Sequence, residues 1–313
     1  MSNLENLTLK QIFNYFSYTI FLIYLFILYL FREKIFDGVE SIHSINNNLV
    51  ILIISLIMMS IFIKSIKITL ISSFFGLRKI RKIIYIFYSS LFLCLAPGKL
   101  VELYRVKLIS EQENSSLPKS IYINIFDKFT DLMCLGLYGT IGLILFSPNL
   151  FKLIILEKTY LCFILVALFI FLISFIIYFT IKKQSVKLRE ILILISNKKN
   201  TIFLILLLTI IGWAPEIFSF YYLLNILVEI NLEFYLITSF YAIANVIGGV
   251  VPLPAGAIGF EGTLTYLLSN YLPINTLLSI ILIHRAIAIG VAFFTGTLVF
   301  LNKKIINIYK AII

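Results

Sequence analysis

No stretch of this chain is both polar and long. Apolar runs recur from residue 12 to residue 301, and the longest polar stretch between them, Glu111 to Ser120, is far too short to bury a core. Of the 313 residues, 61% are apolar and 13% charged, with a mean hydropathy of +1.04. A soluble domain carries about 25% charged and 45–50% apolar residues. Apolar surface in this excess is solvated by lipid, so the sequence predicts a single membrane domain over 1–313. Met1–Lys10 is polar with little positive charge, and the run from Ile12 to Phe31 has transmembrane length, which predicts no cleavable signal peptide.

The net charge of +11 does not point to nucleic acid, because the basic residues form no face interleaved with aromatics. They bunch in short loops between apolar segments at 12–31, 48–63, 83–96, 120–147, 159–181, 200–226, 234–251 and 275–301. Lys64, Lys67, Arg78, Lys79, Arg81 and Lys82 crowd 64–82, and Lys182, Lys183, Lys187, Arg189, Lys198 and Lys199 crowd 182–199. The loops 32–48, 148–158 and 227–233 hold only Arg32, Lys34, Lys152 and Lys158. The positive-inside bias puts the crowded loops in the cytoplasm.

Simple alternation then fails unless two segments do not cross. The 83–96 run, roughly 21 Å of helix, stops at Pro97-Gly98, short of a hydrocarbon core about 30 Å thick. The 234–251 run breaks at Gly248-Gly249 and Pro252-Leu253-Pro254-Ala255-Gly256, and an apolar stretch from Ala257 to Leu272 follows. Two re-entrant hairpins entering from opposite faces restore the charge bias, with both termini cytoplasmic. The fold expected is an all-α polytopic membrane protein of about six full transmembrane helices plus two broken-helix hairpins.

The two breaks match. Pro97-Gly98 leads to Glu102, with Lys128 26 residues later; Pro254-Ala255-Gly256 leads to Gly259 and Glu261, with Arg285 24 residues later. Each long helix that follows carries paired glycines, Gly139 with Gly142 and Gly290 with Gly296. The pattern predicts an inverted repeat with halves at 83–147 and 234–301, and interrupted segments at corresponding places point to a transporter's substrate site. Kinks in ordinary spanning helices would explain the prolines but not the charge distribution.

Eight ionisable residues fall within apolar runs: Lys99, Glu102, Asp127, Lys128, Asp131, Glu216, Glu261 and Arg285. Each costs about 2.5–3.5 kcal/mol at a helix centre and is normally kept for a pathway or a partner. Lys128 and Asp131 share a helix face. Lys99, Glu102 and Asp127 are open to a second reading as solvated groups near the cytoplasmic surface, and Arg285 either neutralises an acid or binds phosphate. Five acids against three bases leave a negative surplus, which suggests that Glu102, Asp131, Glu216 or Glu261 exchanges protons. Cys94, Cys134 and Cys162 sit in apolar runs without metal-ligand spacing, and His43 and His284 are too few for a metal site, so no cofactor is expected.

At these residues the chain resembles the lysylphosphatidylglycerol synthase transmembrane (flippase-like) domain family. The matching elements are Pro97-Gly98 with Glu102 and Arg105, Asp127-Lys128-Phe129-Thr130-Asp131, Trp213 with Glu216, and Pro252-Leu253-Pro254-Ala255-Gly256-Ala257-Ile258-Gly259-Phe260-Glu261 followed by Arg285. Lys128 stands where the family pattern has arginine, which keeps the charge but loses the bidentate fork, and Ala255 stands where it has glycine. The resemblance implies a stand-alone member without the soluble aminoacyl-transfer domain. It implies movement of an anionic or glycosylated lipid between leaflets of the cell membrane, or an accessory role beside a glycosyltransferase in lipid-linked glycan assembly. On that reading Lys128, Arg285, Gly98, Gly256 and Gly259 contact substrate. Enzymatic activity is not expected, because no loop carries a catalytic set of histidines or carboxylates.

The topology is tested by single cysteines replacing Ile45, Phe75, Ser115, Ile154, Glu190 and Ile230 in a background without the natural cysteines. An impermeant thiol reagent outside intact cells should reach only positions 45, 154 and 230. External labelling at 75 or 190 would overturn the arrangement.

Overall fold

The computed structural model describes residues 46–77, 79–94, 100–112, 115–146, 198–228, 232–250, 256 and 258–312. The expected segments 12–31 and 159–181, and His43, Pro97, Gly98, Lys99, Cys162, Pro252, Pro254 and Ala255, lie outside the described residues. Among the described residues every regular element is helical. They are α1 (Asn47–Phe74), α2 (Ile80–Ser90) with a 3-10 turn at Leu91–Leu93, α3 (Leu100–Gln112), α4 (Leu117–Phe146), α5 (Lys199–Val228), α6 (Phe234–Val250), α7 (Gly259–Leu268) and α8 (Ile274–Ile312). Helices α1 and α5, and α8 over Ile274–Asn302, are long and apolar enough to cross a membrane. The chain is an all-α polytopic membrane protein.

Helix α1 corrects the expected 48–63 segment. It begins at Asn46, whose side-chain oxygen accepts the Asn48 N–H at 3.0 Å, and runs 28 residues to Phe74. Gly76, at φ +81°, turns the chain beyond it. Lys64 and Lys67 therefore sit inside the helix rather than in a cytoplasmic loop. Their charges do not end the helix because carboxylates on α4 and α5 neutralise them. The other shift is at α2, which starts at Ile80 and takes Arg81 and Lys82 into its first turn.

The described helices fall into two quartets of the same order: a long helix, two short ones and a second long one. Their lengths are 28, 11, 13 and 30 residues for α1–α4 and 30, 17, 10 and 39 for α5–α8. Contacts between helices follow the same order. The long helices α1 and α5 pack along each other at the centre; α2 pairs with α3 and α6 with α7; α4 packs on α6 and α8 on α2. In the first hairpin Arg105 Nε lies 3.3 Å from Ser90 Oγ while the Tyr104 ring stacks edge-on against Phe92, so α3 runs back along α2. In the second, the Gly248 backbone meets Gly256 and Phe260, which brings the start of α7 against the end of α6.

Glycine controls the crossings between quartets. Gly139 stands eleven residues after Lys128, and Gly296 eleven after Arg285, about three helical turns in each case and hence on the same face. A Cβ at Gly139 would press on Ile243 of α6 at 3.3 Å, one at Gly142 would meet the Tyr235 carbonyl and Ser239, and one at Gly296 would run into the backbone of Leu91 and Phe92. Gly290, paired with Gly296 in the sequence, has no atom close enough to meet a Cβ. Small residues let helix backbones approach closely where lipid supplies no hydrophobic drive.

Substituting alanine separates these positions. Gly142→Ala and Gly296→Ala should each destabilise the purified protein by about 1–3 kcal/mol of overpacking, read as a lower thermal midpoint. Gly290→Ala should hold or raise it, since alanine is the better helix former by about 1 kcal/mol. Equal midpoints for all three would reject the crossings described.

Candidate functional site

The second break is built from strained and glycine backbone. Gly256 takes φ +73° with the Gly248 carbonyl against it, leaving no room for a Cβ. Ile258 takes φ +66°, a conformation that costs a β-branched residue of order 1–3 kcal/mol. Gly259 then opens α7, whose first turn holds Glu261, where the helix dipole favours an anion. Glu261 is buried, and its Oε1 lies 3.3 Å from Arg285 Nε on α8. The guanidinium also covers the Phe260 ring at 4.7 Å. Of the two readings open for Arg285, the structure supplies an acid for it to neutralise, Glu261.

The first quartet holds its equivalent. Glu102 sits in the first turn of α3, and its Oε1 lies 3.3 Å from Lys128 Nζ on α4. An acid on the third helix of each quartet thus meets a base on the fourth at the same separation. The two differ in access: the Lys128 side chain is 48% exposed and Arg285 is 14% exposed. Gly98, expected beside the first pair, lies outside the described residues.

Between the pairs runs a ladder of buried charge. Lys67, 1% exposed, places its ammonium 2.7 Å from Asp127 Oδ1 and 2.7 Å from Asp131 Oδ1. Arg105 reaches Asp127 Oδ2 at 3.5 Å from the other side. Trp213 donates its indole N–H to Asp131 at 3.0 Å, and Lys64 lies 3.6 Å above the same indole ring. Lys64 pairs with Glu216 at 2.6 Å, and Tyr241 donates to the other Glu216 oxygen at 3.1 Å. His284 meets Ser219 at 2.8 Å on the α5 side of α8. Residues from α1, α3, α4, α5, α6 and α8 thus share one polar seam.

Four expectations change. Asp131 and Lys128 share a face but not a partner: Asp131 turns to Lys67 and Trp213, Lys128 to Glu102. Asp127 is buried between Lys67 and Arg105 rather than solvated at the surface. Arg105, not among the eight charges placed within apolar runs, is buried with it. The negative surplus disappears, since Glu102, Asp127, Asp131, Glu216 and Glu261 are matched by Lys64, Lys67, Arg105, Lys128 and Arg285. Charge balance therefore no longer calls for a protonated acid. The missed residues left a faint signal, because Ser60, Lys64 and Lys67 recur at helical spacing within an apolar sequence.

Among the described residues no cluster of three or more His, Cys, Asp or Glu side chains is placed to hold a metal ion. A family model described as Lysylphosphatidylglycerol synthase TM region matches residues 16–296. No curated protein matches the chain.

Removing one partner from a buried ion pair costs about 3–5 kcal/mol, because the other charge stays behind. Lys67→Met should therefore sharply reduce the yield of folded, monodisperse protein, and Lys67→Met/Asp131→Asn should recover much of it by restoring neutrality. Asp127→Asn should harm folding at least as much as Asp131→Asn, since Asp127 answers two bases. Size-exclusion profiles of the four variants decide it: a single Lys67→Met variant with a wild-type profile would contradict the ladder.

Proposed function

The chain belongs to the lysylphosphatidylglycerol synthase TM region family, and from that premise we propose that it is a flippase-like transporter moving an anionic or glycosylated lipid between leaflets. The observation that carries the reading is the recurrence of one acid–base pair, Glu102 with Lys128 and Glu261 with Arg285, at equivalent places in two helical quartets. On this reading the quartets form an inverted repeat, the breaks before α3 and α7 are re-entrant, and both termini are cytoplasmic. Broken helices survive in lipid only where they are buried or line a wet cavity. Their N-terminal N–H groups then offer a phosphate partial positive charge. Arg285 completes the neutralisation at the second break, with Gly256 and Gly259 giving the backbone its close approach.

Substrate phosphate has to compete with Glu261 for Arg285. We assign proton coupling to Glu261, whose buried Oε2 has no hydrogen-bond partner among the described residues. Asp131 and Glu216 are instead held by Lys67 and Lys64 and serve as ties between helices. No catalysis is assigned to the chain.

A second reading, a non-transporting accessory of lipid-linked glycan assembly beside a glycosyltransferase, fits the same family membership. Vesicles separate the two. Reconstituted protein should move a fluorescent phosphatidylglycerol between leaflets, Arg285→Ala should abolish the movement at every pH, and Glu261→Gln should abolish it or free it from pH. Wild-type movement by Arg285→Ala would sink the transport mechanism, and a folded wild-type protein that moves no lipid would favour the accessory role.

A further inference from the structure

Lys128 stands where a membrane protein rarely leaves a lysine. It lies at the edge of a stripe on α4 formed by Ile121, Ile125, Phe129, Met133, Leu137 and Ile141, all exposed. A stripe of that composition faces hydrocarbon, where an unneutralised ammonium is costly. Glu102, its partner at 3.3 Å, is already stabilised by the N-terminus of α3 and covers one side only, leaving 48% of the lysine side chain open. The equivalent Arg285 is enclosed by Glu261 and the Phe260 ring. One pair of this matched set is therefore open to the side of the bundle while the other is closed.

We propose that Glu102–Lys128 is a second anion site, lateral and lipid-facing, which takes the phosphate of an anionic phospholipid whose acyl chains lie along the α4 stripe. The proposal rests on the lipid-handling reading and adds the place where the lipid docks before it reaches a closed site. Lysine suits the task. Its ammonium carries three donors on a flexible stem and swings from Glu102 to a phosphate oxygen without the fixed geometry that a guanidinium fork demands. The α3 dipole keeps Glu102 satisfied while the ammonium is shared.

The test reads retained lipid rather than transport. Full-length protein is extracted from nanodiscs of phosphatidylcholine with a minority of phosphatidylglycerol, and bound lipid is counted by native mass spectrometry. Wild type should retain phosphatidylglycerol in preference to phosphatidylcholine. Lys128→Gln should retain it at least about tenfold less, as expected for losing a charge-assisted contact. Glu102→Gln/Lys128→Gln, which leaves no stranded charge, should show the same loss in a folded protein, and Lys128→Arg should keep the preference. Wild-type retention by the double variant would overturn the proposal. So would equal retention of the two lipids by wild type, or binding of inorganic phosphate without the phospholipid. Retention in a protein that moves no lipid would reject the transport reading and leave this site standing.

Discussion

The structure turns on one ammonium group. Lys67 is almost wholly enclosed, and burying such a charge is affordable only because Asp127 and Asp131 both close on it at 2.7 Å. Its position explains why α1 continues as a helix beyond the expected loop, why α4 carries two acids one turn apart, and why Arg105 of α3 points inward. Through Asp131 the same cluster reaches Trp213 of α5, and through Lys64 it reaches Glu216 and Tyr241. In hydrocarbon, where apolar contact between helices is worth little more than contact with lipid, such polar ties and close glycine crossings hold a bundle together.

The ladder is central, and the acid–base pairs flank it. Each pair joins a short helix that follows a proline- and glycine-containing stretch of the sequence to the long helix after it, and each long helix uses a glycine eleven residues on to sit against the other quartet. A movement at one pair is thereby connected to the hairpin of the opposite half. The two pairs share chemistry and separation yet differ in exposure.

Much of this was legible in the sequence because its signals are local. Proline and glycine mark breaks, an acid soon after a break falls in the first turn of a helix, and the similar spacing from Glu102 to Lys128 and from Glu261 to Arg285 marks the two pairs. The ladder was not legible for a tertiary reason. Lys64 and Lys67 lie just past the apolar run 48–63, and a lysine there reads as loop unless its partner is known. Those partners, Glu216, Asp127 and Asp131, lie between 60 and 152 residues away in the chain. The same gap produced the false charge surplus, since Lys64 and Lys67 had been assigned to the cytoplasm and Arg105 was not counted within an apolar run. Lys128 and Asp131 show the limit of reading faces, because side chains sharing a face can still turn to different neighbours.

The central claim is that the two halves present equivalent acid–base pairs, and proximity in the native membrane tests it most directly. Cysteines at positions 102 with 128, and 261 with 285, would be treated with a short bifunctional thiol reagent in membranes carrying an otherwise cysteine-free protein. Both matched pairs should cross-link, and the mixed pairs 102 with 285 and 128 with 261 should not. Cross-linking of the mixed pairs, or its absence at either matched pair in folded protein, would contradict the account.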